Sequence, residues 1–125
     1  MLLPNYTPNQ LEDELLKAAS ECATKGELFV KAKSKYEEIE DGKKIKFAIL
    51  LDESKETTMT AKEKDVLKSE RWRNYIRMLT DARTSYLYAQ MQYDTAIRNF
   101  DTCRSLLSSK NTERRTGIWK AYMWV

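Results

Sequence analysis

Residues 72–107 read WRNYIRMLTDARTSYLYAQMQYDTAIRNFDTCRSLL, and this stretch decides the fold. Trp72, Leu79, Tyr86, Tyr93, Phe100 and Leu107 follow one another at intervals of seven. Tyr75, Ala82, Ala89, Ala96 and Cys103 form a second column with the same interval. Steps between the columns alternate three and four, so all eleven residues share one stripe of a helix. A mean spacing of 3.5 keeps such a stripe turned toward a partner helix. One column is bulky and the other mostly small, which lets a partner backbone come close beside large side chains.

A matching stripe lies upstream. Leu11, Leu15, Ala18, Cys22, Phe29, Ala32, Tyr36 and Ile39 keep the heptad, with Lys25 as one polar interruption. Thr7-Pro8-Asn9-Gln10 is a start signal: Thr at the N-cap, Pro at the first helical position, Gln three past the cap. Gly26 and Gly42 each cost about 1 kcal/mol relative to Ala in a helix interior. The stripe holds phase across Gly26. Beyond Gly42 it would demand Lys43 and Lys46, while Ile45, Phe47, Ala48, Ile49, Leu50 and Leu51 crowd in. The expectation is one helix with a phase slip near Gly42. Residues 54–60 lack a stripe and hold capping residues, and Thr60-Ala61-Lys62-Glu63 has the form of a second capping box.

These signals predict a single all-α domain: a long antiparallel two-helix coiled-coil hairpin with a short C-terminal apolar and aromatic tail. Its parts are an arm at 1–7, a helix at 8–53, a loop at 54–60, a helix at 61–109 and the tail at 110–125. With the loop centred near Thr57, facing residue numbers should sum to about 114. Phe29 then lies near Tyr86 and Ala32 near Ala82, large on large and small on small. Cys22 and Cys103 fall on the stripes and should be buried, reduced and too far apart to bridge.

Composition narrows the function. A third of the 125 residues are charged, and no histidine is present to serve as an imidazole base or a metal ligand. No glycine-rich phosphate loop or nucleophile elbow occurs, so no enzyme, cofactor or metal is expected. The run Glu37-Glu38-Ile39-Glu40-Asp41 spreads its carboxylates around a helix, as a solvated face does. No apolar run is long enough to span a membrane, and the short Met1-Leu2-Leu3-Pro4 start lacks a secretory core. A cytoplasmic location in the host cell is expected.

Residues 1–60 carry nine Lys against twelve Asp and Glu, and residues 61–125 carry thirteen Lys and Arg against seven. Arms of opposite sign attract, so pairing absorbs part of the basic excess. Two basic regions stand out. Glu70-Arg71-Trp72-Arg73-Asn74-Tyr75-Ile76-Arg77 interleaves cations with aromatics, a pattern that suits a single-stranded nucleic acid. The seam already accounts for Trp72 and Tyr75, and the arginines can pair with Glu37, Glu38 and Glu40. The tail joins Arg104, Lys110, Arg114 and Arg115 to Trp119, Tyr122 and Trp124. Trp, Tyr and Arg dominate protein–protein hot spots and also suit base stacking. The tail either caps its own hairpin or meets a partner. A two-helix hairpin has little core of its own, and a homodimer is a further way to cover it.

Tyr36-Glu37-Glu38-Ile39, Phe47-Ala48-Ile49-Leu50-Leu51, Glu63, Ser69-Glu70-Arg71-Trp72, Ala82-Arg83, Phe100 and Arg104-Ser105 together resemble a group of phage-encoded helical proteins. That group lies in recombination modules near genes for single-strand annealing proteins, and the likeness covers roughly residues 30–115. The resemblance implies a non-enzymatic accessory role in phage DNA metabolism or in evasion of host defence, and it carries over no catalytic residue. The expected partner is a protein, either the phage recombinase or a host nuclease or defence complex. Arg114, Arg115, Trp119, Tyr122 and Trp124 would meet it. The alternative is weak nucleic-acid binding through Arg71, Arg73, Arg77, Arg104 and Lys110.

Overall fold

Thr7 and Gln10 start the first helix as their spacing predicts. The Thr7 N–H donates to Gln10 Oε1 at 2.8 Å, and the Gln10 N–H donates to Thr7 Oγ1 at 3.3 Å. The computed structural model describes the backbone from Thr7 to Met123 and the side chains from Thr7 to Glu113. It is all-helical, with α1 at Pro8–Asp41, α2 at Lys43–Glu53, α3 at Met59–Lys68 and α4 at Glu70–Met123. No strand occurs among the described residues. The chain divides into two compact units, Leu28–Gln90 and a second made of α1 through Glu27 with α4 from Met91 onward.

In the second unit, Leu11, Ala96 and Cys103 are buried, and Leu15, Ala18, Cys22, Tyr93, Phe100 and Leu107 are half-buried. These are the stripe residues. Gly26 lies against Tyr93: a methyl group on Gly26 would stand 3.1 Å from Tyr93 Cε1. The expected register placed Gly26 near residue 88, so the ring that meets it comes from five residues further on. On the outer face, Thr95, Thr102 and Thr112 turn their hydroxyls back onto carbonyls four residues earlier, at 2.9–3.0 Å. This satisfies polar groups inside a long helix.

In the Leu28–Gln90 unit the expected pair is met. Tyr86 sits between Phe29 and Tyr36, with ring centroids 5.7 and 5.5 Å away. The large-on-large contact expected between Phe29 and Tyr86 is therefore formed, and Tyr36 joins it.

Past Gly42 the expected phase slip is absent. Lys43 and Lys46 are half-buried and Leu50 is buried, so the heptad keeps phase. Phe47 and Leu51 widen the same face and pack with Tyr75 and Ile76 on a core of Leu50, Val66 and Trp72. Ile45 and Ile49 point away from it and stay exposed. The lysine stems cover apolar surface while their ammonium groups reach water, which is how the stripe tolerates them. At Gly42 the helical bonds run on, from its N–H to the Glu38 carbonyl and from its carbonyl to the Lys46 N–H. The Tyr75 hydroxyl donates to the Ile39 carbonyl at this point, where α1 gives way to α2.

The single helix expected at 8–53 is thus split at Gly42, and three further boundaries differ from expectation. The cap after the loop is Thr58, whose Oγ1 accepts from the Ala61 N–H at 3.2 Å, so α3 begins at Met59 and the Thr60 box does not form. The expected helix from 61 is broken at Ser69, which has extended backbone, φ −68° and ψ 145°. Its hydroxyl donates to the Val66 carbonyl at 2.7 Å and accepts from the Trp72 N–H at 3.2 Å. One serine thereby closes α3 and caps α4. Downstream, α4 passes the expected end at Ser109 and runs to Met123. Nothing between 109 and 123 is a proline, and Lys110 pairs with Glu113 one turn on, at 3.7 Å.

The phase of α2 is open to test by urea denaturation. Leu50→Ala should cost about 2–5 kcal/mol, whereas Ile45→Ala should change stability by no more than about 0.5 kcal/mol. Equal losses at the two positions would mean that the phase does slip.

Candidate functional site

The basic and aromatic segment at the start of α4 splits into an inner and an outer face. Trp72 is buried, stacked on Tyr75 at 5.9 Å and edge-on to Phe47 at 5.2 Å. Tyr75 is half-buried with its hydroxyl engaged by Ile39. Burial, with Glu40 nearby, raises the pKa of that phenol, which keeps it a neutral donor. Trp72 is closed to a base, whereas Tyr75 lines an opening with Lys46 and Arg71. Arg71, Arg73 and Arg77 lie exposed on the outer side. Arg71 pairs with Glu53 at the end of α2, rather than with the Glu37–Glu40 run. Glu37 pairs instead with Lys33 of its own helix, at 3.8 Å.

Beside this segment a groove of about 560 Å³ runs within the Leu28–Gln90 unit. Ala32 and Ala82 stand along it with Met78. Small side chains from both helices meet there, so nothing fills the space above them. Lys31 and Lys35 border the groove from α1, and Asn74, Arg77 and Asp81 border it from α4. A second opening of about 300 Å³ shares Asn74 and Met78 and continues to Lys46 and Arg71. Five cations therefore line this surface against one carboxylate, Asp81.

Only Arg71 and Arg77 of the residues singled out for nucleic acid come together along it. Arg104 and Lys110 belong to the other unit, where they pair with Asp101 at 3.4 Å and Glu113 at 3.7 Å. Arg114, Arg115, Trp119 and Tyr122 lie on the α4 backbone, but their side chains, and all of Trp124, fall outside the described residues. The groove's Lys31, Lys35, Asn74 and Met78 were missed in the sequence. Their signal was there: alanines on both stripes, each flanked at helical spacing by cations. A second missed surface is the outer face of α2, where Ile45, Ala48 and Ile49 are exposed. Its signal was an apolar run with no polar side to give to water.

Among the described residues no group of three or more His, Cys, Asp or Glu side chains is placed to hold a metal ion. No described helix is long and apolar enough to cross a membrane. Both cysteines are free. Burial raises the pKa of each thiol; Asp101 and Glu21 add to the effect at Cys22, and Glu14 adds to it at Cys103. Each therefore packs as a neutral, weakly polar group. Comparison with protein-family models, curated proteins and solved structures finds no match to this chain, so its function has to be argued from its own residues.

The thiols make a pH-dependent prediction. A folded-state pKa raised above the usual 9.0 contributes stability that is complete below that value and lost as pH rises through the folded pKa. Cys103→Ala removes the titrating group. Its cost in urea denaturation should therefore shrink between about pH 7.5 and about pH 10. A cost that grows over that range would contradict the assignment.

Proposed function

We propose that this chain is a non-enzymatic phage accessory protein that captures a protein partner, drawn from the phage recombination machinery or from a host nuclease or defence complex that it inhibits. In this reading α1 and α4 are the arms of an antiparallel coiled-coil hairpin. Its contacts support that: Phe29 and Tyr36 meet Tyr86, while Gly26 meets Tyr93. The host cytoplasm is where such a protein acts.

The observation that carries the reading is the outer face of α2. Ile45 is 65% exposed and Ile49 45% exposed, with Ala48 between them, while the inner face of the same helix is packed. Within α2 the run Phe47-Ala48-Ile49-Leu50-Leu51 is apolar on both faces, and an apolar patch left in water marks an interaction surface. The aromatic tail supplies a second candidate contact through Trp119, Tyr122 and Trp124. Single-stranded nucleic acid is the weaker reading, because Trp72 is committed to the core and Tyr75, half-buried with its hydroxyl engaged, is the one ring of the basic segment that lines an opening.

Affinity capture from infected cells, read by mass spectrometry, tests this. Ile45→Glu with Ile49→Glu, or deletion of residues 117–125, should abolish capture and leave the thermal melt within a few degrees of the parent. Binding to DNA should be absent at physiological salt. Steeply salt-dependent DNA binding, with protein capture unaffected by either change, would favour the nucleic-acid reading.

A further inference from the structure

We propose that a second copy of this chain lays the outer face of its α2 in the groove of the Leu28–Gln90 unit, and receives the first copy's α2 in its own groove. Two exposed surfaces of one unit thereby cover each other. The groove has Ala32, Ala82 and Met78 along its floor, and Tyr75 lines the opening that continues from it to Lys46 of α2. The α2 face offers Ile45 and Ile49 with Ala48 beside them, all exposed. Asp41, Ile45, Ala48 and Asp52 follow at steps of four, three and four, and the helical bonds run on through Gly42, so one face carries them. The two surfaces match in length. Asn74 to Ser85 along the groove and Asp41 to Asp52 along the stripe are each a step of eleven residues, about 16 Å along a helix.

Charge selects the occupant. Lys35 and Arg77 stand on opposite rims of the groove, and Asp81 lies one turn beyond Arg77. Asp41 and Asp52 close the two ends of the α2 stripe, and Lys44 stands beside Ile45. All six are exposed, and none has an ion-pair partner among the described residues. Lys31 also borders the groove but already has a partner, and Arg71 at the opening is held by Glu53. What stays free is two cations and one carboxylate in the groove, against two carboxylates and one cation on α2. The groove and α2 adjoin at half-buried Lys46 and at Asn74, so a two-fold axis near them lets both contacts form at once. This pairing goes beyond capture of a protein partner. It keeps the α2 face covered until such a partner competes for it.

Sedimentation equilibrium of the full-length chain tests this. At about 100 μM, where a dimer with a micromolar Kd is populated, the chain should sediment as a dimer and no larger. Lys35→Glu/Arg77→Glu reverses the groove and Asp41→Lys/Asp52→Lys reverses the α2 face, all at exposed positions, and a thermal melt checks each fold. Each variant alone sets like charges together at both contacts, so its dimer Kd should rise at least about tenfold. An equimolar mixture of the two restores opposite charges at both contacts and should regain the dimer. Ile45→Glu/Ile49→Glu should be monomeric alone. A monomeric parent chain, charge-reversed variants that dimerise as the parent does, or a mixture that stays monomeric would overturn the proposal. Capture of a cellular partner by a chain that never dimerises removes this pairing and leaves the protein-partner reading standing. A dimer that captures no partner does the reverse.

Discussion

A tyrosine ring comes closest to the backbone of a neighbouring helix where no side chain stands in the way, and Gly26 and Gly42 both sit at such a contact. Gly26 admits Tyr93, and Gly42 admits the hydroxyl of Tyr75; a methyl group at either position would come within 3.1 Å of the tyrosine. Each glycine weakens its helix by about 1 kcal/mol, and the close approach offsets that loss through ring contact and, at Gly42, a hydrogen bond. The bond from Tyr75 to the Ile39 carbonyl joins α4 to the chain at the place where α1 becomes α2. The orientation of α2 follows from it. Leu50 and Phe47 turn inward onto Trp72, and Ile45 and Ile49 are left outside.

Most of the seam was legible in the heptads, because side-chain spacing alone determines which residues share a helix face. Every residue of both columns on α4 is buried or half-buried, and so is the upstream stripe, Lys25 included. The Thr7 box formed as written. What the spacing could not convey was depth. Heptads report which face is inward, not which side chain fills each gap, and Tyr93 settles against Gly26. Ser69 escaped notice because it lies within a run that reads as helix on either side. Its significance depends on a hydroxyl bonding in two directions, to Val66 and to Trp72. At α2 hydrophobicity was a poor guide: lysines took the inner positions and isoleucines the outer ones, since the covalent phase of the helix outweighs the preference of single residues.

The candidate surfaces follow from the same geometry. Small residues that permit close packing also leave a groove where two of them meet. Arg71 is drawn off by Glu53, and Arg104 and Lys110 pair along their own helix. Lys35 and Arg77 border the groove.

The dependence of this packing on glycine–tyrosine contact can be measured with a double-mutant cycle of Gly42→Ala and Tyr75→Phe, followed by urea denaturation. With Tyr75 in place, alanine at position 42 must displace a hydroxyl held by Ile39, and the predicted result is no gain in stability, or a loss. In the Tyr75→Phe background the same substitution should stabilise the fold by up to about 1 kcal/mol, the ordinary advantage of alanine over glycine in a helix. An effect of Gly42→Ala that is the same in both backgrounds would contradict the account, since the glycine would then not be there to admit the tyrosine.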